Sequence, residues 1–180
     1  VHMWPLPCQE TVHVLKAWQD DDPRIVVGTY EGGLELWRVH GDELCCDASM
    51  PGAHAAAITA VGVPRDAYTR EHSPREFVTG GSDSKLRVWS CDPLRVVQTV
   101  DLEGAFPLDV ALVSLPQTDA MVMAVAATDR RISLYVRGGG SGAYVRQLRL
   151  AGHEDWVRAL DFTVALPDVW LASASQDQHV

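Results

Sequence analysis

A chain of 180 residues, 47% hydrophobic and 22% charged, can bury a substantial core, which excludes disorder as its main state. Fifteen Lys and Arg against 24 Asp and Glu give a net charge of −9, so the chain lacks the positive field that holds phosphates, and no direct nucleic-acid partner is expected. No apolar run, Ala120 to Ala127 included, approaches the roughly 20 residues of a membrane helix, no signal peptide is visible, and four cysteines without a C-x-x-C pair suggest neither zinc nor a disulfide framework. A reducing compartment and no cofactor are therefore expected, with no membrane partner.

In chain order, Val1 to Trp4 reads as the end of a strand from a preceding unit. A strand is expected at Val12 to Trp18, and Asp20, Asp21 and Asp22 before Pro23 are ordinary turn chemistry. The run from Ile25 to Trp37 then reads as a strand, a tight turn at Glu31 and an alternating strand that closes on Trp37, followed by an outer strand at Asp42 to Ser49. The same pattern returns with a strand at Ala57 to Val63, the pair around Asp83 ending at Trp89, and a strand at Arg95 to Leu102. It returns again with Leu108 to Leu115, the pair around Asp129 ending at Tyr135, and Tyr144 to Leu150. The fourth copy opens at Trp156 to Thr163 and carries Leu171 to Val180 around Asp177.

The acids Glu31, Asp83, Asp129 and Asp177 recur every 46 to 52 residues, and in three copies an aromatic follows six residues later. Self-similarity at this period dictates architecture before any local reading does. Gly, Pro and Asp break the chain too often for long helices, and strands such as Met121 to Ala127 are apolar on both faces. Four-stranded units sandwiched between like neighbours are the expected arrangement, with units at approximately 11–49, 53–102, 105–150 and 152–180. The segment Arg137 to Gly142 lacks the Lys-Ser/Thr of a phosphate loop and reads as a connector.

These residues resemble the WD-repeat β-propellers. Ala53-His54 and Gly152-His153 stand in the family's Gly-His place, and Val88-Trp89-Ser90 stands at its Trp-Asp element, with Ser90 for the Asp. The resemblance implies an all-β partial ring of about four blades, three complete units plus an incomplete fourth. It also implies a structural network of His54, Thr79, Asp83 and Trp89 in the second unit and of His153, Ser173 and Asp177 in the fourth. The indole donates to the hydroxyl, the hydroxyl to one imidazole nitrogen, and the other nitrogen to the carboxylate. The first unit keeps only Glu31 and Trp37 and the third only Asp129, so both are expected to rest on packing. Read without the repeat, His, hydroxyl and acid would suggest a catalytic triad, but one active site needs one constellation whereas every blade needs its own clasp.

A narrower resemblance runs from about Val78 to Val180 and more loosely upstream. A third unit without Gly-His or Trp, followed at once by Gly152-His153-Glu154-Asp155-Trp156, is similar to the first propeller of the second-subunit family of the Elongator complex. This implies a fragment of a two-propeller, non-catalytic scaffold, cytoplasmic or also nuclear, that holds the largest and the catalytic subunits of a complex modifying wobble uridines of tRNA. Candidate interaction residues are Glu154, Asp155, Trp156 and Arg158, although Trp156, at the start of a strand, is expected to pack between blades. The acid-rich, lysine-free stretch from Asp20 to Asp47 reads as a solvated rim. The alternatives are a generic WD-repeat adaptor, such as a ubiquitin-ligase substrate receptor, for which the Trp-Asp-x-Arg signature is absent, and a propeller enzyme, for which no unique polar set appears.

Overall fold

The computed structural model describes residues 8, 10–18, 23–41, 43–65, 76–115, 118, 120–139 and 142–180, and among these it is built from strands and turns without helix. The expected strand at Val1 to Trp4, the turn at Asp20 to Asp22 and part of the glycine connector lie outside the described residues.

The first sheet runs β1 (Val12–Trp18), β2 (Arg24–Thr29), β3 (Leu34–His40) and β4 (Glu43–Met50), each antiparallel to the next. The second is β5 (Ile58–Gly62), β7 (Glu76–Gly81), β8 (Lys85–Cys91) and β9 (Leu94–Asp101). Between β5 and β7 the short β6 (Pro64–Arg65) leaves its own sheet and pairs, parallel, with the innermost strand of the third. That third sheet is β10 (Pro107–Ser114), β11 (Met121–Ala127), β12 (Ile132–Arg137) and β13 (Val145–Leu150), and β14 (Val157–Ala165) with β15 (Asp168–Ser175) forms the fourth. Chain order equals spatial order within each meander because short turns permit only antiparallel neighbours.

The repeat extends to its irregularities. Each innermost strand has a bulge at its start, at Val12/Val14, Ile58/Ala60, Pro107/Asp109 and Val157/Ala159. Each third strand meets a bulge in its outer neighbour at the aromatic, at Leu36/Trp37, Val88/Trp89 and Leu134/Tyr135. An extra residue at one register position bends a strand locally and raises its twist, so three outer strands carry the same bend beside the same bulky ring.

The core consists of three clusters, each drawn from two consecutive sheets. Val26, Leu34 and Leu36 meet Ile58, Val61, Phe77 and Trp89. Val78, Leu86 and Val88, from the other face of the second sheet, meet Val110, Leu112, Met123 and Tyr135. Ala124, Ala126 and Ile132 meet Val157, Leu160 and Phe162. Alternation along a strand is what allows one sheet to serve two interfaces. Two ion pairs rivet successive sheets at one end: Arg24, 1% exposed, with Asp92 at 3.0 Å, and Glu76 with Arg137. Their polarity is reversed from one interface to the next.

Candidate functional site: the blade clasps and the rim above them

In the second sheet a strand, a tight turn and the preceding loop bring four distant residues together. Trp89 Nε1 donates to Thr79 Oγ1 at 2.8 Å, Thr79 lies 2.7 Å from His54 Nε2, and His54 Nδ1 lies 2.9 Å from Asp83 Oδ1. Because the indole can only donate, Thr79 donates onward to Nε2 and the Nδ1–H donates to the carboxylate. Asp83 also accepts from the Ala55 amide at 3.2 Å and from Arg87 at 2.9 Å. A Cβ on Gly81 would run into the His54 ring, which explains glycine beside the turn.

Burial holds the His54 imidazole below its ordinary pKa, against the pull of Asp83, and Arg87 adds to the depression with Nη1 2.6 Å from Nδ1. Burial alone would raise Asp83. The hydrogen bonds from His54, Arg87 and the Ala55 amide outweigh it and hold the carboxyl down at about 2. The clasp at pH 7 is thus a neutral imidazole on a carboxylate.

The fourth sheet repeats the arrangement, with His153 Nδ1 2.8 Å from Asp177 Oδ2 and Nε2 2.9 Å from Ser173 Oγ. Asp177 accepts from the amides of Glu154 and His179, both at 2.9 Å, and although burial opposes it, these bonds hold its carboxyl well below the usual range.

The first sheet is not left to packing alone. The Thr11 amide donates to Glu31 at 3.1 Å, as the Ala55 amide does to Asp83 and the Glu154 amide to Asp177. This places Glu10 in the position of His54 and His153. Its carboxylate accepts from Thr29 Oγ1 at 2.6 Å, and Thr29 in turn accepts from the Gly33 amide at 2.7 Å. An acid and a hydroxyl, the hydroxyl two residues nearer the turn than Thr79 stands, tie loop to turn where His and hydroxyl do so in the second sheet. Trp37, with no hydroxyl at Val27, donates instead to Glu35 at 2.9 Å. In the third sheet Thr128 accepts from the Phe106 amide at 3.0 Å, while Asp129 caps the Arg131 amide and pairs with Arg149 on the outer strand.

One expectation needs correction. Trp156 precedes β14 rather than opening it, and it is 39% exposed, while Val157, fully buried, takes the place between sheets. Arg158 lies over its ring at 5.0 Å, Asp155 Oδ1 accepts from its amide at 2.7 Å, and Glu154 is exposed beside them. The bulge at Val157/Ala159 shifts the alternation by one residue, so counting back by two from the buried Phe162 and Leu160 puts Arg158 and Trp156 on the inner face in place of Val157.

A cleft of about 390 Å³ opens between the second and third sheets, lined in part by Glu76, Gln98, Arg137 and Tyr144. Gln98 grips Tyr144 as a strand would, donating to its carbonyl at 2.9 Å and accepting from its amide at 2.8 Å. The buried Tyr144 hydroxyl has no partner among the described residues, and burial pushes it up to about 12. Tyr144→Phe is therefore expected to stabilise the fold by about 1 kcal/mol, since removing an unsatisfied buried group recovers its desolvation cost. Urea unfolding of the variant decides this, and a loss of stability would mean that the hydroxyl has a bound water or another partner.

No family model matches the chain. Curated relatives do. The chain is 32% identical over 157 residues to Elongator complex protein 2 of Danio rerio, covering 86% of the chain and 18% of that protein. The protein of the same name from Homo sapiens is 29% identical across 88% of the chain and 20% of its own length, and that of Drosophila melanogaster 28% across 91% and 21%. The chain thus spans about a fifth of the length of the curated relatives it matches. Among solved structures, the WD40 repeats of RRP9 superpose with a TM-score of 0.65 at 17% identity, over 87% of this chain and 43% of that one. A chain of the mitotic checkpoint complex gives 0.60 at 18% identity, over 86% and 45%. Meanders of the WD40 kind, stacked face to face and clasped at their turns, give this chain the fold of WD40-repeat propeller blades, and along most of its length its sequence is similar to Elongator complex protein 2.

Proposed function

We propose that the chain forms blades of an Elongator second subunit and works as a non-catalytic scaffold for the largest and the catalytic subunits of that complex, in the cytoplasm or also the nucleus. The observation that carries the reading is the similarity to proteins named Elongator complex protein 2 across 86% or more of the chain. The geometry supports the non-catalytic part. Thr79 and His54 have their hydrogen-bonding atoms engaged by neighbours, and the Ser173–His153–Asp177 set repeats that arrangement in another blade, so these groups serve as fasteners rather than as nucleophile and base. Chemistry on the wobble uridine then belongs to a partner chain.

The net charge of −9 makes the chain a poor holder of tRNA, because phosphate affinity grows with the number of neutralising Lys and Arg. Depleting the gene product that carries these blades is expected to lower carboxymethyl-type wobble uridines, while the purified protein alone shows no turnover and only weak, strongly salt-dependent tRNA binding. Mass spectrometry of tRNA nucleosides after depletion tests it, and unchanged levels of these nucleosides would refute the Elongator assignment while leaving the propeller intact.

A further inference from the structure

The rim above the clasps carries a difference between blades that the repeat itself does not require. Four backbone bonds define one equivalent position, the residue just before each innermost strand: Tyr30 N to Thr11 O, Ser82 N to Ala57 O, Thr128 N to Phe106 O, and Gln176 N to Trp156 O, at 2.8 to 3.0 Å. The position is thus Thr, Ala, Phe and Trp in the successive sheets. In the last two the aromatic is left in water, Phe106 at 47% and Trp156 at 39% exposure. Their neighbours in the chain, Pro107 and Val157, are buried, so the interface between sheets is filled without either ring.

Three arginines without an ion pair lie at the same two blades. Seven of the described arginines, at 24, 38, 65, 87, 137, 146 and 149, have a carboxylate partner. Among the described residues, Arg95, Arg130, Arg131 and Arg158 are exposed and form no ion pair, and all but Arg95 lie at the rim of these two blades. Arg130 and Arg131 sit on the turn of the third sheet, where Arg130 takes φ 63 and reaches the Glu154 carbonyl of the next loop at 3.4 Å. Arg158 is held flat against Trp156, and its Nε and Nη2 donate to the Gln176 side-chain oxygen at 3.1 and 2.7 Å, a pose that fixes the guanidinium and leaves Nη1 for a ligand. Glu154 and Asp155 lie on this loop but pair with none of the three, and the Asp155 carboxylate is occupied by the Trp156 amide. In a chain of net charge −9, arginines without carboxylates beside two exposed aromatic rings can take a carboxylate from outside.

We propose that the rim of the third and fourth blades, built from Phe106, Trp156, Arg130, Arg131 and Arg158, docks an acidic extended segment of a partner protein, with carboxylates on the arginine forks and an apolar side chain against the rings. The proposal deepens the scaffold reading by naming its contact surface, and it rests on that reading only for the identity of the partner. Bidentate guanidinium–carboxylate pairs supply orientation, and the rings supply buried apolar area. A peptide suits this patch better than RNA does, because three arginines in an acidic protein offer too few neutralised phosphates.

The test uses the intact gene product that carries these blades and a fluorescent peptide of alternating Glu and Leu, with its Lys-Leu counterpart as control. Anisotropy is expected to show the acidic peptide binding and the basic one not, with Arg130→Glu plus Arg158→Glu weakening it about tenfold or more. Phe106→Ala plus Trp156→Ala should act in the same direction, whereas Ser82→Ala, on the small-residue rim of the second blade, should leave binding unchanged. The charge-reversal pair bonds to no clasp side chain, and an unchanged circular dichroism spectrum, expected of it, separates lost binding from lost fold. Failure of the acidic peptide to bind, or equal binding by the charge-reversed protein, overturns the proposal. So does a charge-reversed protein that loses tRNA while keeping the peptide. Co-purification separates the two readings: a wild-type protein that binds the peptide but retains no Elongator subunit refutes the Elongator assignment alone, and retention of every subunit by the charge-reversed protein refutes the rim as their docking surface.

Discussion

Replacing Trp89 by alanine is expected to lower stability by about 3–5 kcal/mol, the range for deleting a large buried aromatic. Trp89 is fully buried, stacks on Phe77 with centroids 6.1 Å apart, and fills the cluster between the first two sheets. Trp89→Phe separates the two contributions. It retains most of the ring volume and strands the Thr79 hydroxyl without its donor, so a cost of about 1–2 kcal/mol is expected. Trp37→Phe is the control, because Trp37 donates only to the partly exposed Glu35, and its loss should cost less than about 1 kcal/mol. Equilibrium urea unfolding of the three variants reads these values. Equal costs for the two phenylalanine substitutions would mean that the indole bond to Thr79 adds nothing to the second blade.

The repeat was legible in the sequence because the hairpin imposes it. Between the turn acid and the aromatic lie one tight turn and one strand, and a single inserted residue would turn the ring to the wrong face, which fixes the six-residue spacing at Glu31–Trp37, Asp83–Trp89 and Asp129–Tyr135. Loops are under no such constraint. Glu10 stands two residues before β1 whereas His54 stands four before β5, and it is an acid in place of an imidazole, so neither spacing nor residue type discloses their equivalence. The backbone bond from Thr11 to Glu31 does. Spacing was equally silent about β6, since Pro64 in a segment of two residues carries no strand signal, yet Arg65 from it reaches Asp161 and the Phe162 carbonyl of the fourth sheet. The rim chemistry was half legible. Trp156 and Arg158 stand out as residue types, but their exposure follows from a bulge, and bulges leave no mark on the hydrophobic pattern.

His54→Ala is expected to cost about 1–3 kcal/mol, because it leaves the buried Thr79 hydroxyl without its acceptor and Asp83 Oδ1 without the imidazole donor, Oδ2 keeping Ala55 and Arg87. Its pH dependence identifies the mechanism. The folded state holds His54 below its unfolded value of about 6.5, so the unfolded chain binds that proton more readily. The stability this group contributes is complete above about pH 6.5 and falls as the pH drops toward the folded pKa. Asp83, at about 2 when folded against about 3.9 when unfolded, contributes stability that is complete above about pH 4 and is lost as the pH falls through about 2. Both groups therefore act in one direction, and acid should weaken the clasp in two successive windows. Subtracting the pH profile of His54→Gln from that of the wild type isolates the upper window, since glutamine does not titrate while Asp83 remains. A difference that instead grows as the pH falls from 7 to 5 would show that His54 binds its proton more readily when folded and that the clasp is an ion pair, in which case Asp83 rather than the buried neutral imidazole sets the acid limit of the blade.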